Sequence, residues 1–269
     1  MAETALPQYE VFALRYAHLE RTRGQNFIEY DPHDGPMPMD YFVWVVRHAE
    51  RVWLVDTGFG EEAARRRGRR LLRCPIEALS VLGIAADQVE DVILTHLHYD
   101  HAGNLPKLPH ACFHFQEREL HYATGRFMRY PFLRHAFDVE DVTEVVRRVY
   151  ADRVRFYLGD AELAPGLSLI KIGGHTDGLQ SVRVHTARGW VVLASDASHY
   201  YDNIGRGSPF PIVFNAGDML EGYDRLRSLA DSDDHLVPGH DPLVRERYPF
   251  HGDPADDCVA LHLPPIAPG

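Results

Sequence analysis

The chain has 269 residues, which is enough for one large α/β domain or two small ones. Apolar residues make up 45% of it and charged residues 25%, as in an ordinary globular protein with a sizeable core. Its net charge of -11 argues against a nucleic-acid partner, because proteins that bind the phosphate backbone present a basic face.

Nothing in the sequence indicates export or membrane insertion. The opening stretch MAETALPQYE has neither the basic nor the apolar segment of a secretory signal, and no apolar run approaches the ~18 residues of a spanning helix. The cysteines are odd in number and widely spaced, so they form neither a disulfide framework nor a metal-binding pair: Cys74, Cys112 and Cys258. We therefore expect a cytoplasmic protein that does not bind membranes.

Two segments of the chain look alike. Residues 41–60, YFVWVVRHAERVWLVDTGFG, are two β-rich runs around a polar turn, and the second run ends at Asp56. Residues 180–199, QSVRVHTARGWVVLASDASH, have the same form, and their second run ends at Asp196. Each is predicted to be a β-hairpin whose second strand carries a carboxylate at its C-terminal end, which suggests two related halves.

Further strands and helices are mixed along the rest of the chain. Strands are predicted for VEDVILTH, ACFHFQ, LSLIKIGGH and DHLVPGH, and helices for PIEALSVLGI, QERELHYAT, DVEDVTEVVRRVYAD and AGDMLEGYDRLRSLAD. This mixture favours a layered α/β domain, and no linker rich in Gly, Ser or Pro divides it. We predict a single domain over residues 1–269, in which residues 1–40 and 251–269 are peripheral extensions.

Two segments keep open interpretations. The basic run RRRGRRLLR, residues 65–73, is interpreted as a solvated helix face or loop in preference to an anion site. Residues 121–137, HYATGRFMRYPFLRHAF, are rich in aromatic side chains without a clean helical period. An apolar wall for an acyl chain, a core segment and a contact in a homodimer all remain compatible with that pattern.

Potential metal ligands follow the predicted strands at their C-terminal ends. Four of them fall within LTHLHYDHAGN, residues 94–104, directly after the apolar run DVIL. Because such strand ends open onto the ligand crevice of layered α/β proteins, we expect seven side chains to meet there: His96, His98, Asp100, His101, His175, Asp196 and His240. Imidazole and carboxylate ligands without a thiolate suit Zn²⁺, with Mn²⁺, Fe²⁺ and Co²⁺ as alternatives. Seven ligands are too many for one tetrahedral ion and suit two divalent ions.

The motif THLHYDHAGN resembles the metal signature of the metallo-β-lactamase superfamily. The later pieces GGHTDGLQS, LASDAS and VPGHD resemble, in that order, its N-acyl homoserine lactonase branch, and the similarity covers residues 41–241. The resemblance implies an αββα sandwich of two related halves, with a dinuclear metal site in the cleft between the sheets. It also implies that Asp56, in VDTG, supports the ligand loop without binding metal.

The same resemblance assigns the ligands to two metals. It implies that one ion is held by His96, His98 and His175. It implies that the second ion is held by Asp100, His101 and His240, and that the carboxylate of Asp196 bridges both.

The function implied by the resemblance is the opening of a lactone, either an N-acyl homoserine lactone or another cyclic ester, as in quorum quenching. A hydroxide that bridges the two metals attacks the carbonyl, and Asp100 passes a proton to the departing alkoxide. The alternative on the same site is a thioesterase of the glyoxalase II type, or another ester or amide hydrolase. A metalloprotein that only binds a ligand ranks last.

The sequence departs from the lactonase pattern in places, and the most important departure is at one position. Those enzymes carry a tyrosine three residues after the bridging aspartate, where it donates to the substrate carbonyl. This chain has His199 at that position, followed by Tyr200 and Tyr201. We predict that His199 or Tyr200 donates a hydrogen bond to the developing oxyanion of a small-molecule substrate, with Tyr201 as a third candidate.

Overall fold

The computed structural model describes residues 5–29, 32–49 and 51–266. The strands in these residues are β1 (Glu10–Leu19), β2 (Met39–His48), β3 (Arg51–Val55), β4 (Arg70–Leu71), β5 (Asp91–Ile93), β6 (Cys112–Gln116), β7 (Val154–Tyr157), β8 (Ala161–Ala164), β9 (Leu167–Lys171), β10 (Gln180–Thr186), β11 (Gly189–Ser195), β12 (Leu236–Pro238) and β13 (Cys258–Ala260).

The α-helices are α1 (Glu61–Arg67), α2 (Glu117–Thr124), α3 (Pro131–Arg134), α4 (Val139–Tyr150), α5 (Tyr201–Arg206), α6 (Ala216–Leu229) and α7 (Leu243–Arg247). Short 3₁₀ helices lie at Arg23–Gln25, Glu77–Leu82, Ala86–Gln88, Leu105–Lys107, Arg126–Arg129, Asp233–His235 and Pro254–Asp256.

The strands form two mixed sheets. In the first sheet the order is β13-β1-β2-β3-β5-β6-β7, and β4 pairs with β1. In the second sheet the order is β12-β11-β10-β9-β8. Parallel pairing joins β3 to β5, β5 to β6, β6 to β7, and β11 to β12. The C-terminal ends of these parallel strands therefore lie along one edge of each sheet.

The two sheets pack face to face, with helices on both outer faces. Along β2, Trp44 and Val46 point into the core between the sheets, while Val43 and Val45 pack beneath the outer helices. Burial of both faces explains why this strand is a continuous apolar run. On the other outer face, α6 packs against β9 and β11. The predicted αββα sandwich is confirmed.

Both predicted hairpins form. β2 pairs with β3 and β10 pairs with β11, antiparallel in each case. Each hairpin ends in a non-glycine residue in the left-handed region, Asp56 with φ 62° after β3 and Ser195 with φ 49° at the end of β11. This conformation is uncommon for residues other than glycine, and it turns the chain sharply out of the sheet at Asp56 in the first hairpin and immediately before Asp196 in the second.

The description of residues 1–40 and 251–269 as peripheral needs correction. β1 is an inner strand of the first sheet, between β13 and β2, and its residues Val11, Phe12, Ala13 and Leu14 are fully buried. The parts of those predicted extensions at residues 1–4, 30, 31 and 267–269 lie outside the described residues. The segment PIEALSVLGI, predicted as a helix, forms the 3₁₀ turns Glu77–Leu82.

The structure also bears on the cysteines and on membrane insertion. Cys74, Cys112 and Cys258 are free thiols. Within residues 5–29, 32–49 and 51–266, no helix is long and apolar enough to cross a bilayer.

Candidate metal centre

The ligand loop that follows β5 is a tight turn. The backbone N–H groups of His101 and Ala102 both donate to the carbonyl of His98, at 3.0 Å. Gly103 comes so close to the preceding loop that a Cβ there would lie 2.6 Å from the carbonyl oxygen of Gly58. Only glycine fits at this position, so the GN that ends the motif allows the histidine loop to pack on the loop after β3.

One group of imidazoles faces the Oδ2 atom of Asp196. Nδ1 of His98 lies 3.0 Å from Nε2 of His96 and 3.0 Å from Nε2 of His175. Nε2 of His175 lies 3.2 Å from Asp196 Oδ2, and Nε2 of His96 lies 3.7 Å from it. These four residues are buried, and their ligand atoms all lie within 4.8 Å of one another.

A second group faces the other oxygen of the same carboxylate. Nε2 of His240 lies 2.9 Å from Asp196 Oδ1, and Nε2 of His101 lies 3.2 Å from it. Asp100 completes this group, with one carboxylate oxygen 3.9 Å from His101 Nε2 and the other 4.0 Å from His240 Nε2. The structure therefore brings all seven predicted ligands together, in two groups on either side of Asp196.

The donor set fits divalent metal ions. Burial lowers the pKa of His96 and His98 well below the ordinary value, so both imidazoles are neutral at pH 7 and each has a lone pair to offer. Burial alone would raise the pKa of Asp196, yet the imidazoles around it hold that pKa well below its usual range. Among the described residues, Nε2 of His101 is buried without a hydrogen-bond partner, as expected of an atom that ligates a metal.

The ligands are oriented by hydrogen bonds from their other ring nitrogens. His175 Nδ1 donates to the carbonyl of Ile212 at 2.7 Å, and His240 Nδ1 donates to that of Asp40 at 2.9 Å. His101 Nδ1 lies 2.7 Å from Oδ2 of Asp56. These contacts leave each Nε2 directed at the metal position, which is how supporting residues fix the tautomer of a ligating histidine.

Asp56 also fixes the start of the ligand loop. Its Oδ1 accepts from the backbone N–H of Thr95 at 2.7 Å, and its Oδ2 accepts from the Thr95 hydroxyl at 2.8 Å. The carboxylate thus ties the end of β3 to the residue immediately before His96. This placement agrees with the supporting role that the sequence predicts for Asp56.

A second supporting carboxylate, Glu119 on α2, was not predicted. It is fully buried and accepts from the backbone N–H of Leu97 at 2.9 Å, between the ligands His96 and His98. Its other oxygen accepts from the Thr176 hydroxyl at 2.6 Å and from Gly178 N–H at 3.0 Å, beside the ligand His175. Glu119 therefore joins two ligand loops, and the helical segment QERELHYAT carries no sequence signal of that role.

A cavity of about 210 Å³ opens onto the metal centre. It is lined by the ligands His98, Asp100, Asp196 and His240, and by Arg21, Met39, Tyr41, Arg67, Arg69, Tyr99, His135, Ala136, His199, Phe210, Pro211 and Ile212. Burial raises the pKa of Tyr41 to about 12, so its hydroxyl remains a hydrogen-bond donor at neutral pH. Tyr41 and Tyr99 were not singled out in the sequence, because they lie in an ordinary apolar strand and between two ligands.

His199 lies at the floor of this cavity. Its Nε2 is 3.0 Å from Asp196 Oδ2, and its ring stacks on Phe210 with centroids 3.7 Å apart. In the described part of the chain its Nδ1 is buried without a hydrogen-bond partner. Burial lowers the pKa of His199 to about 3, so the ring is neutral at physiological pH.

The two neighbouring tyrosines lie elsewhere. The hydroxyl of Tyr200 donates to the carbonyl of Pro38 at 3.2 Å, and Tyr201 packs beneath the guanidinium of Arg247. Neither belongs to the side chains that line the cavity within the described residues. Of the three candidate donors, the structure places only His199 beside the metal ligands.

The aromatic segment 121–137 forms part of the cavity wall. Phe137 forms an isolated bridge with His98, and the two rings are 4.5 Å apart. The same segment borders an adjoining cavity of about 660 Å³, which shares Arg67 and His135 with the first. Part of this segment therefore lies in a pocket wall, which is one of the interpretations that the sequence left open.

Comparison with known proteins gives a family and named relatives. A family model described as the metallo-β-lactamase superfamily matches residues 37–240. The probable metallo-hydrolase Rv2300c of Mycobacterium tuberculosis is 26% identical over 224 residues, which cover 74% of this chain and 69% of that protein. The N-acyl homoserine lactonase AiiA of Bacillus thuringiensis subsp. kurstaki is 27% identical over 206 residues, which cover 70% and 76%.

Solved structures share the fold. An N-acyl homoserine lactone hydrolase with N-hexanoyl-L-homoserine bound at its catalytic metal centre superposes with a TM-score of 0.74 at 21% identity, covering 90% of this chain and 96% of that one. The hydrolase AbOPH superposes with a TM-score of 0.71 at 18% identity, covering 99% and 100%. At these identities the structural likeness establishes the fold alone.

Proposed function

The chain belongs to the metallo-β-lactamase superfamily, and from this premise we propose that it is a dinuclear metal-dependent lactonase that opens a lactone or similar cyclic ester. That it is a metal-binding hydrolase follows from the family and from its relatives. The lactone substrate, the two ions per chain and their identity as Zn²⁺ are the proposed part. N-acyl homoserine lactones, and hence quorum quenching, are the first substrates to test.

The observation that carries the proposal is the two-sided environment of Asp196. One oxygen faces His175 and His96, and the other faces His240 and His101, at 2.9–3.7 Å. A carboxylate surrounded in this way suits a bridge between two ions, since each of its oxygens has its own set of nitrogen ligands. Relatives with a named substrate, such as AiiA, are lactonases.

When bound, divalent ions supply Lewis acidity for the lactone carbonyl and lower the pKa of a water molecule to near neutrality. The protein's own groups handle position and protons. Asp100 lines the cavity and is nearly buried, so its carboxylate is placed to accept the proton of the attacking water and return it to the departing alkoxide. His199 and Tyr41 are the candidate donors to the developing oxyanion, because both line the cavity. The neutral His199 ring has a single N–H, so it donates to the oxyanion in the tautomer with the proton on Nδ1, the nitrogen that does not face Asp196.

The alternative substrate classes draw no comparable support. No contact among the described residues favours a thioester over a lactone, and the named relatives do not add to that alternative. The remaining expectations stay predictions: a cytoplasmic location, a small-molecule substrate without nucleic acid or membrane, and a homodimer.

The proposal is tested by a product screen with protein loaded with Zn²⁺, Mn²⁺, Fe²⁺ or Co²⁺. Lactones, thioesters and β-lactams are offered at equal concentration, and ring opening is followed by proton release. We expect turnover of lactones and about two metal ions per chain by elemental analysis. Hydrolysis of thioesters alone would overturn the lactonase assignment, and activity with less than one ion per chain would overturn the dinuclear one.

A further inference from the structure

We propose that the substrate carries a carboxylate, which Arg21 and Arg69 bind on the wall of the cavity above the metal centre. This inference rests on the proposed function and narrows its substrate class. The basic run 65–73 was interpreted as a solvated surface. Four of its residues, Arg65, Arg66, Gly68 and Arg70, are exposed as that interpretation expects, but Arg67 and Arg69 are half-buried and line the cavity.

Arg69 is held in place and retains a free donor group. Its Nε donates to the Tyr99 hydroxyl at 3.0 Å, and one terminal nitrogen, NH1, donates to the carbonyl of Arg67 at 2.6 Å. The other terminal nitrogen, NH2, makes no hydrogen bond to any of the described residues. A guanidinium anchored through two of its nitrogens is pre-organised to bind an anion with the third.

Arg21 is anchored in the same way. Its Nε donates to Asn26 Oδ1 at 2.6 Å, and NH2 donates to the carbonyl of Gln25. Its guanidinium lies over the Phe210 ring, 5.1 Å from the centroid, beside the same ring on which His199 stacks. The third nitrogen is again available to a ligand.

The sheet brings the two arginines together. β4 pairs with the end of β1 in the register Ala17↔Leu71 and His18↔Arg70, so the residue before β4 and the residues after β1 emerge at the same place. Arg67 contributes differently. Its terminal nitrogens donate to the carbonyls of His135 and Phe137, at 2.8 and 3.0 Å, so it secures the wall segment and is not available for the substrate.

In the described part of the chain neither of these arginines is paired with a carboxylate in direct contact, and Asp100, which lines the same cavity, acts on Arg69 only from beyond contact distance. Over residues 5–29, 32–49 and 51–266, neither Arg21 nor Arg69 has a carboxylate oxygen within 4.0 Å, whereas Arg15, Arg23 and Arg66 all have such partners. In a chain with a net charge of -11, carboxylates are plentiful. Two half-buried guanidinium groups without one, facing a cavity, fit an anionic group on the substrate.

The size of the cavity also favours a small polar substrate. Its volume of about 210 Å³ is below the ~300–1,000 Å³ of typical ligand pockets, so the part of the substrate held at the metal centre is small, and a longer arm would extend into the adjoining cavity of about 660 Å³.

The test uses matched pairs of ligands. The first compound is homoserine lactone acylated with succinic acid, which carries a terminal carboxylate. The second is the analogue in which a terminal carboxamide replaces that carboxylate, so it is neutral and nearly isosteric. With the metal-loaded protein we expect kcat/KM to be at least about tenfold higher for the carboxylate, mainly through KM. Arg69→Gln and Arg21→Gln are each expected to reduce that preference several-fold. Arg70→Gln is the control, because Arg70 adjoins Arg69 in sequence and is exposed.

A binding measurement separates this inference from the proposed function. The ring-opened forms of both compounds share the homoserine carboxylate that the metals attract, so only the second carboxylate distinguishes them in calorimetry. Tighter binding of the dicarboxylate, lost in Arg69→Gln and kept in Arg70→Gln, supports the inference even if no lactone is hydrolysed. Equal affinity and equal kcat/KM for both members of the pairs would overturn it while leaving lactone hydrolysis intact. A loss in Arg70→Gln as large as in Arg69→Gln would also overturn it, because it would indicate a general charge effect.

Discussion

The ends of β3 and β11 present the same local structure with two different outcomes. Each is the second strand of an antiparallel hairpin, each stops at a residue in the left-handed region, and each delivers an aspartate, Asp56 or Asp196, that is buried. Asp56 meets the donors of Thr95 and the Nδ1 side of His101, at 2.7–2.8 Å. Asp196 meets the metal-facing Nε2 atoms of its neighbouring histidines.

The difference comes from the neighbouring strands. β3 lies beside β5, so the first residue its carboxylate meets is the loop threonine that precedes the ligands. β11 lies beside β12, and the loop after β12 carries His240. The loop after β9, in the same sheet, carries His175. Each hairpin thus places a carboxylate at a sheet edge. The chemical role of that carboxylate depends on the side chains carried by the loops after other strands of the same sheet.

We expect the largest effect at Asp196, the carboxylate that we propose bridges two ions. Asp196→Ala removes the oxygens shared by both ligand groups, so we expect loss of at least one ion per chain. Turnover should fall by more than the ~10–100-fold typical of a supporting residue. Elemental analysis and single-turnover kinetics check this prediction. Two ions per chain with activity intact in this variant would contradict the bridging role.

The two hairpins also differ at the third residue after the aspartate. In the first half it is Phe59, fully buried in the core, and in the second half it is His199, beside the metal ligands. His199→Phe makes the second half like the first. We expect kcat to fall about 100-fold, in the range for loss of one oxyanion donor, at unchanged metal content.

The controls for that variant are Tyr200→Phe and Tyr201→Phe, compared at matched metal occupancy. The Tyr200 hydroxyl donates to Pro38 and the Tyr201 ring lies beneath Arg247, away from the cavity, so we expect kcat within a few-fold of the parent. A drop confined to one of these two variants would assign the donor role to that tyrosine. Lost metal in His199→Phe would instead identify His199 as a ligand.

Loss of the contacts made by Asp56 should have an intermediate effect on metal binding. Asp56→Asn keeps the size of the side chain, but its amide can no longer accept from both Thr95 and His101. We expect metal affinity to fall by ~10–100-fold, with kcat at saturating metal much less affected. Competition with a chelator measures the affinity, and an affinity equal to the parent's would show that the loop is ordered without Asp56.

Glu119 is a supporting carboxylate that lies on a helix, α2, and at the end of neither hairpin. In Glu119→Gln one oxygen becomes a donor, so Gly178 N–H or Leu97 N–H loses its acceptor. A buried donor without a partner costs ~1–3 kcal/mol, which urea unfolding will detect. Glu117→Gln on the same helix is the control, since Glu117 is partly exposed and its change should stay within ~0.5 kcal/mol.

The last prediction concerns Asp141, an aspartate whose carboxylate accepts no hydrogen bond from the described residues. Burial, with Asp138 nearby, raises the pKa of Asp141 to about 7 from 3.8. Because the folded-state pKa is raised, ionisation opposes folding, and this penalty grows as pH rises from about 4 to 7 and is constant above. Asp141→Asn should therefore stabilise the protein more at pH 8 than at pH 5, as measured by urea unfolding. An equal difference at both values would show that Asp141 titrates normally.

Several elements of this protein were determined by short stretches of sequence. The two hairpins follow from β-rich runs around polar turns, and the ligand loop from histidines and an aspartate crowded within six residues. These signals are local, because a strand, a turn and a ligand loop each depend on residues that are close in the chain. β1 lacked such a signal, since both its faces are buried and its pattern does not alternate cleanly.

The convergence of distant side chains was decided only by the tertiary structure. Glu119 joins two ligand loops from a helix, and Tyr41 enters the cavity from an inner strand. Arg21 and Arg69, 48 positions apart in the printed sequence, meet because β4 pairs with the end of β1. Nothing in the neighbourhood of either arginine marks it as different from Arg70. The sequence therefore determined the candidate metal ligands, whereas strand register and layer packing, which depend on contacts far apart in the chain, decided what lines the cavity beside them.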